Sequence, residues 1–303
     1  ITASPPKVIL PMPSGKDIRR RIKGVKGTGK ITRAMEMISA VKMRRAIERA
    51  VTMRPYANSA LRILARLSHV LMREDHPLTE RRTVKRELIV VVTSNRGLCG
   101  AFNAQIGRKV RTMYKERGDR EMSFITIGKK GDALVRRIGG DIVASFPDVI
   151  NLPSAEAVRP IVAILLEEFE TKRIDRVTLV STDFVSVMLQ RVVSRELLPF
   201  SEAETLKTLE EKAEPVTGEF LIEPAPETVL SVMVRRLLEA ELFHAVLESN
   251  ASQEASRMLA MRNATDAAKE MAADLTLAYN QLRQGKITQE IAELSAGMAA
   301  GQG

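Results

Sequence analysis

The stretch at 24–31 reads GVKGTGKI. It fits G-x-x-x-x-G-K, the spacing in which backbone amides cradle a phosphate and a lysine reaches its outer oxygens. The next position should supply a hydroxyl to Mg²⁺, and here it is Ile31. A phosphate loop also follows a buried strand, whereas the basic amphipathic DIRRRIKGVK leads into this one. The other reading places these glycines inside a helix, at a cost of roughly 1 kcal/mol each. A second candidate is SNRGLCG at 94–100, which follows an apolar run. Ligands often sit at the carboxyl ends of parallel strands. This loop lacks the G-x-G-x-x-G spacing, and a tight strand-to-helix turn with Cys99 packed inward accounts for it as well. His69, His76 and His244 show no ligand spacing, and Glu167 and Glu168 read as a solvated helix face. No nucleophile, base and orienting acid fall together, so no catalytic residue, metal ligand or cofactor is expected.

The chain has 303 residues, 45% of them hydrophobic but only 4% aromatic, with no Trp. Its apolar content rests on Ala, Leu and Met, all good helix formers. The formal charge is +10, and thirteen Lys or Arg against three acids lie between Lys16 and Arg54. Such an excess seeks an anionic partner, which charge alone does not choose among nucleic acid, a lipid surface and an acidic protein. One cysteine cannot form an internal disulfide and fits a reducing compartment. No apolar run approaches the ~20 residues of a membrane span. The opening ITASPPKVILPMPSG does not read as a secretory signal.

Both ends carry helical periodicity. Ile18, Ile22 and Val25, then Ile31, Ala34, Ile38 and Val41, recur at spacings of 3 and 4, as in a coiled-coil seam. Pro55 marks a break or kink. From Glu227 to Gln284 there is neither Gly nor Pro, enough for a helix of about 85 Å. Its expected seam is Ala255, Met258, Met261, Ala264, Ala268, Met271, Leu275, Ala278 and Leu282. Between the ends the period changes. Apolar runs at 87–93, 122–127, 141–146 and 176–182 alternate with helical stretches, which predicts an α/β unit with a mainly parallel sheet. Residues 185–195 read as an edge strand and 197–226 as a connector. The expected divisions are an extended tail at 1–15, a coiled-coil helix at 16–72, a central α/β domain with connector at 73–226 and a second coiled-coil helix at 227–303. The two terminal helices pair antiparallel around the Rossmann-like centre.

KDIRRRIKGVKGTGKITRAMEMISAVKMRRA at the start, RPY at 54–56, TSNRGLCGAFN at 93–103, EASRMLAMRNATDAA at 254–268 and LAYNQLRQGKITQEIAEL at 277–294 resemble the gamma subunits of rotary ATP synthases, in order and over nearly the whole chain. The resemblance implies a non-catalytic shaft, present once per complex. Its helices would stand inside a ring of alpha and beta subunits, while the α/β body rests with the epsilon subunit on a membrane c ring. It places ring contacts at Lys30, Arg33, Met35, Arg257, Arg262, Arg283, Gln284, Thr288, Gln289 and Glu290. The segment FLIEP at 220–224 resembles the part facing the c ring, with Phe220 and Glu223 as contacts. Phe220 and Ile222 stand where the family usually has tyrosine, and GVKGTGK carries more glycine than is usual. The implied location is the cytoplasmic face of a bacterial plasma membrane, or else the matrix face of the mitochondrial inner membrane. The competing reading is a basic coiled-coil protein that binds nucleic acid. Against it, the basic residues share no aromatic stacking positions.

Overall fold

Arg86–Val92 forms the central strand, β1, because six successive apolar or long-chain residues there are buried on both faces. That is the pattern of a parallel strand covered on each side. The computed structural model describes residues 14–71, 78, 80–199 and 226–300, without the side chains of 53–71, 226–231 and 299–300. Around β1 lie β2 (Glu121–Ile127), β3 (Asp141–Ser145), β4 (Arg176–Phe184) and β5 (Gln190–Leu198). Their spatial order is β3-β2-β1-β4-β5. The first four strands run parallel, and only β5 is antiparallel, on β4.

Five helices accompany the sheet: α1 (Gly15–Leu71), α2 (Phe102–Lys115), α3 (Lys129–Arg137), α4 (Ala155–Glu170) and α5 (Pro226–Ala300). Leu88, Val90 and Val92 point to one face, packed with Val158, Ile161 and Leu165 of α4 and with Leu238, Leu242 and Val246 of α5. Ile89 and Val91 point to the other, with Phe102, Ile106 and Val110 of α2 and Val135 of α3. Ser154 caps α4 by accepting the Ala157 amide at 3.1 Å, which satisfies one of the free donors at a helix start. The α/β unit with a mainly parallel sheet, and the paired terminal helices, are the fold expected from the sequence.

The edge strand begins later than its alternation suggests. Residues Val185–Leu189 form the turn, closed by reciprocal Ser186 and Leu189 backbone bonds of 2.9 and 3.2 Å. The Ser186 hydroxyl adds a bond from the Leu189 amide, so local turn chemistry outweighs the apolar pattern. Pro55 does not break the first helix, since α1 continues through it to Leu71. A proline removes one amide bond and crowds the preceding turn, yet the helix spans this position.

The chain divides into two compact bodies. Ile38–Met258 holds the sheet, and Ile1–Met37 with Leu259–Gly303 forms the other. In the second body α1 and α5 run antiparallel. A Cβ built on Gly15 would lie 3.3 Å from Leu282, and one on Gly29 would lie 3.4 Å from Ala268. Thr32 and Thr265 share a buried hydroxyl contact of 2.7 Å. Fourteen residues forward on α1, from Gly15 to Gly29, thus match fourteen backward on α5, from Leu282 to Ala268, and the register holds to Thr32 and Thr265.

Candidate interaction surface on the paired helices

Two places were candidates for ligand chemistry. The first is the carboxyl edge of the sheet, between β1 and β4, where the strand order reverses and open α/β sheets usually take ligands. β1 and β4 stay paired only as far as Val91 and Val180. Beyond that point the Thr182 amide donates to Ser249 Oγ at 3.0 Å, and its carbonyl accepts from Ser252 Oγ at 3.4 Å. Helix α5 therefore fills the crevice with hydroxyls that finish the strand. The opening amides of α3, another natural seat for an anion, are also engaged. Lys129 N–H reaches Asn95 Oδ1 at 2.8 Å, Lys130 N–H the Ser94 carbonyl at 3.1 Å, and Gly131 N–H the Thr93 Oγ1 at 2.7 Å. This fit requires Gly128: its φ is +98°, and a Cβ there would come 2.2 Å from the Thr93 carbonyl oxygen.

SNRGLCG is thus a strand-to-helix turn. Cys99 is buried, and its Sγ accepts from Asn103 Nδ2 at 3.0 Å. The same amide group also donates to Ser94 Oγ at 2.7 Å. The second candidate, GVKGTGKI, lies wholly inside α1, so the phosphate-loop reading is set aside: a helix spends its amides on its own carbonyls. His244 faces Glu248 at 3.6 Å. His69 and His76 lie outside the described side chains. Among the described residues no group of His, Cys, Asp and Glu is arranged to hold a metal.

The helix pair is built differently from its expected seam. Burial along α1 recurs every seven residues at Ile18, Val25, Thr32, Ser39 and Ala46, with a second row through Ile22, Gly29, Met43 and Ala50. Ile31, Ile38 and Val41, expected in the seam, are 63%, 56% and 50% exposed. On α5 the inward rows run through Met261, Thr265, Ala268, Ala272, Leu275, Tyr279 and Leu282. Ala264, Met271 and Ala278 were each one position off, and Met271 is 54% exposed. From Gly29 to Ser39 the inward side of α1 is made of small and hydroxyl residues, so counting apolar side chains there selects the wrong face. Extending the Ile18, Ile22, Val25 spacing by strict heptads would have reached Gly29, Thr32 and Ser39.

The outward side carries most of the residues expected to meet a ring. Lys30, Arg33, Arg262, Arg283, Gln284, Thr288, Gln289 and Glu290 are exposed, whereas Met35 and Arg257 are half-buried. Arg257 is paired with Glu254, and Arg33 with Glu36 at 2.9 Å. Asp266 bonds Lys269 at 3.0 Å. That ammonium, helped by the charges of Arg262 and Arg33, holds the Asp266 carboxyl below the usual aspartate range. A groove of about 970 Å³ runs between the helices, with Gly29, Ala268 and Ala272 along it and Lys26, Lys30, Arg33 and Lys269 among its lining. From Arg283 to Met298 every residue of α5 is exposed, including Ile287, Ile291, Leu294 and Met298. The sequence reading did not single out that apolar row. Phe220 and Glu223 lie outside the described residues.

Comparison with known proteins agrees with this arrangement. The family model described as ATP synthase matches residues 14–300. The chain is 39% identical over 291 residues to the ATP synthase gamma chain of Heliobacterium modesticaldum, covering 95% of this chain and 99% of that one. It is 40% identical to the ATP synthase gamma chain of Acidithiobacillus ferrooxidans, covering 95% and 100%. Among solved structures, the central stalk and c ring of the Tetrahymena thermophila mitochondrial ATP synthase includes a similar chain. That match has 27% identity and a TM-score of 0.60, over 77% of this chain and 99% of that one. A chain of the Euglena gracilis mitochondrial ATP synthase shares the fold at 21% identity and a TM-score of 0.63, over 94% of each chain.

Proposed function

The chain belongs to the family of ATP synthase gamma chains, and on that premise we propose that it is the rotating central shaft of such an enzyme. Torque passes between a membrane c ring and the nucleotide sites of an alpha and beta ring, and the chain itself performs no chemistry. The observation that carries the reading is the exposed end of α5. Sixteen successive residues there are exposed, with Ile287, Ile291, Leu294 and Met298 at helical spacing. An exposed apolar row on a helix is stable in water only at a cost, which an enclosing partner removes.

Lys30, Arg33, Arg262, Arg283, Gln284, Thr288, Gln289 and Glu290 then face the ring, with Met35 and Arg257 supporting them from half-buried positions. Phe220 and Glu223 face the c ring, and the epsilon subunit joins the α/β body. Cationic groups opposite acidic ring loops give an attraction that changes in steps as the shaft turns. A surface that differs on its three sides presses the three catalytic sites differently, so their affinities differ. The domain plan is a tail at 1–15, coiled-coil helices at 16–72 and 227–303 and a central body at 73–226. Among the described residues no helix is long and apolar enough to cross a membrane. The chain then sits at the cytoplasmic face of a bacterial plasma membrane as a peripheral subunit, or at the matrix face of a mitochondrial inner membrane.

The test is native mass measurement of the complex purified through this chain. One copy per three alpha and three beta subunits is expected, and the chain alone should not hydrolyse ATP. Several copies per complex, or hydrolysis by the isolated chain, would defeat the reading.

A further inference from the structure

Gly24 and Gly27 lie in the interior of α1, yet a Cβ added to either would meet nothing within 4 Å. Gly29 is different, because its Cβ position touches Ala268 in the seam. Close packing therefore accounts for Gly29 and leaves the other two unexplained. In a helix interior each glycine makes the unwound turn about fivefold more accessible than alanine would. Electrostatics act in the same direction. Lys23, Lys26 and Lys30 succeed one another at spacings of 3 and 4, and no acid occurs between Asp17 and Glu36. Like charges at those spacings repel along the helix. The Thr28 hydroxyl also donates to the Gly24 carbonyl at 3.2 Å, a back-bond that loosens and bends a helix.

The facing helix has the opposite character. Between Thr265 and Thr276, α5 has no glycine and is rich in alanine. Asp266 and Lys269 pair on its surface at 3.0 Å. Just beyond the glycines the two helices are tied by the Thr32 and Thr265 hydroxyls. We infer that the turn from Gly24 to Thr28 is a hinge in α1. It opens locally against an intact α5, and the Thr32–Thr265 contact stops the opening from spreading. The hinge is a property of this helix pair and stands or falls apart from the shaft reading.

Hydrogen exchange read by mass spectrometry on the full chain tests it. Amides at 24–30 should exchange at least tenfold faster than those at 266–276. The double variant G24A/G27A should slow the 24–30 amides alone, by about 25-fold. A control, A34G at an exposed helical site, should create a second fast segment around residue 34. Equal protection of the two helical segments in the unaltered chain would overturn the hinge. So would a G24A/G27A variant that leaves 24–30 unchanged or slows the whole chain alike, and so would an A34G variant that moves nothing.

Discussion

In the sheet body, apolar side chains are inside: Ile89, Val90, Phe124 and Leu179 are fully buried. In the helix pair, Thr32 and Thr265 are inside, while Ile31, Met37 and Leu294 are outside. The first arrangement is self-sufficient, because burial of apolar area is its main source of stability. The second is a narrow seam with several large apolar residues left exposed. The sheet body thus holds its own structure together, and on the shaft reading the helices are held by the ring. The largest expected effect lies in the sheet. Phe124→Ala removes a fully buried ring that packs at 6.1 Å against Tyr114. It should cost about 3–5 kcal/mol, read as a lower denaturation midpoint by circular dichroism. A cost under 1 kcal/mol would mean that this core does not carry the body.

The corresponding test in the helix pair is smaller and has a different signature. Thr32→Val leaves Thr265 beside a methyl group, although its hydroxyl keeps the Met261 carbonyl at 2.8 Å. Each single valine variant should cost about 1 kcal/mol, and the double variant no more than either, because replacing both partners by apolar groups of similar shape is nearly neutral. A double-mutant cycle in urea measures the coupling. Purely additive losses would show that the two hydroxyls do not act as a pair.

The sheet was legible in the sequence because each strand is a short apolar run bounded by turn residues: RELIVVV and EMSFITI needed no knowledge of partners. The crevice filled by Ser249 and Ser252 was not legible, since two serines within a long helical run carry no sign of what they cap. The helices were legible as helices but not as faces. Ile18 to Val25 indicates the seam correctly, and Gly29 to Ser39 then hides it, because a seam that needs close approach uses small residues there. Family resemblance supplied the expected ring contacts, such as Lys30, Arg33 and Arg283, which periodicity had left out of its seam. The edge-strand start at Val185 failed for a simpler reason, a local serine turn, and of the break or kink expected at Pro55 the break is absent, since α1 runs through it.

A pH test separates the two bodies further. Asp175 ties β4 to β1, accepting the amides of Arg86 and Lys85 at 2.8 and 3.0 Å. Burial pushes its carboxyl upward, but those two bonds and the nearby Arg86 and Arg82 charges outweigh it and hold the pKa below the usual range. A carboxyl lowered by folding contributes stability above its unfolded pKa of about 3.9. That contribution is lost as pH falls through the lower folded value. Asp175→Asn should therefore cost about 1 kcal/mol at neutral pH, and the gap from the unaltered chain should narrow below pH ~4. A gap that stays constant down to pH ~2 would show that the charge contributes nothing.

The smallest expected effect on stability sharpens the comparison most. Ile31→Gln with Ile38→Gln changes two side chains that are 63% and 56% exposed, and glutamine is a good helix former. Surface changes of this kind usually stay within about 0.5 kcal/mol, so the isolated chain should unfold as before. If the outward apolar row exists to meet a ring, the same double variant should assemble poorly with alpha and beta subunits, seen as a lower yield of intact complex at unchanged chain stability. In the sheet body an apolar-to-polar change could not separate the two readouts, because loss of the fold would precede loss of the partner. A variant that assembles normally would leave these isoleucines as solvent-facing residues with no partner, and the outward row would lose its meaning. A variant that unfolds would show that they pack within the chain after all.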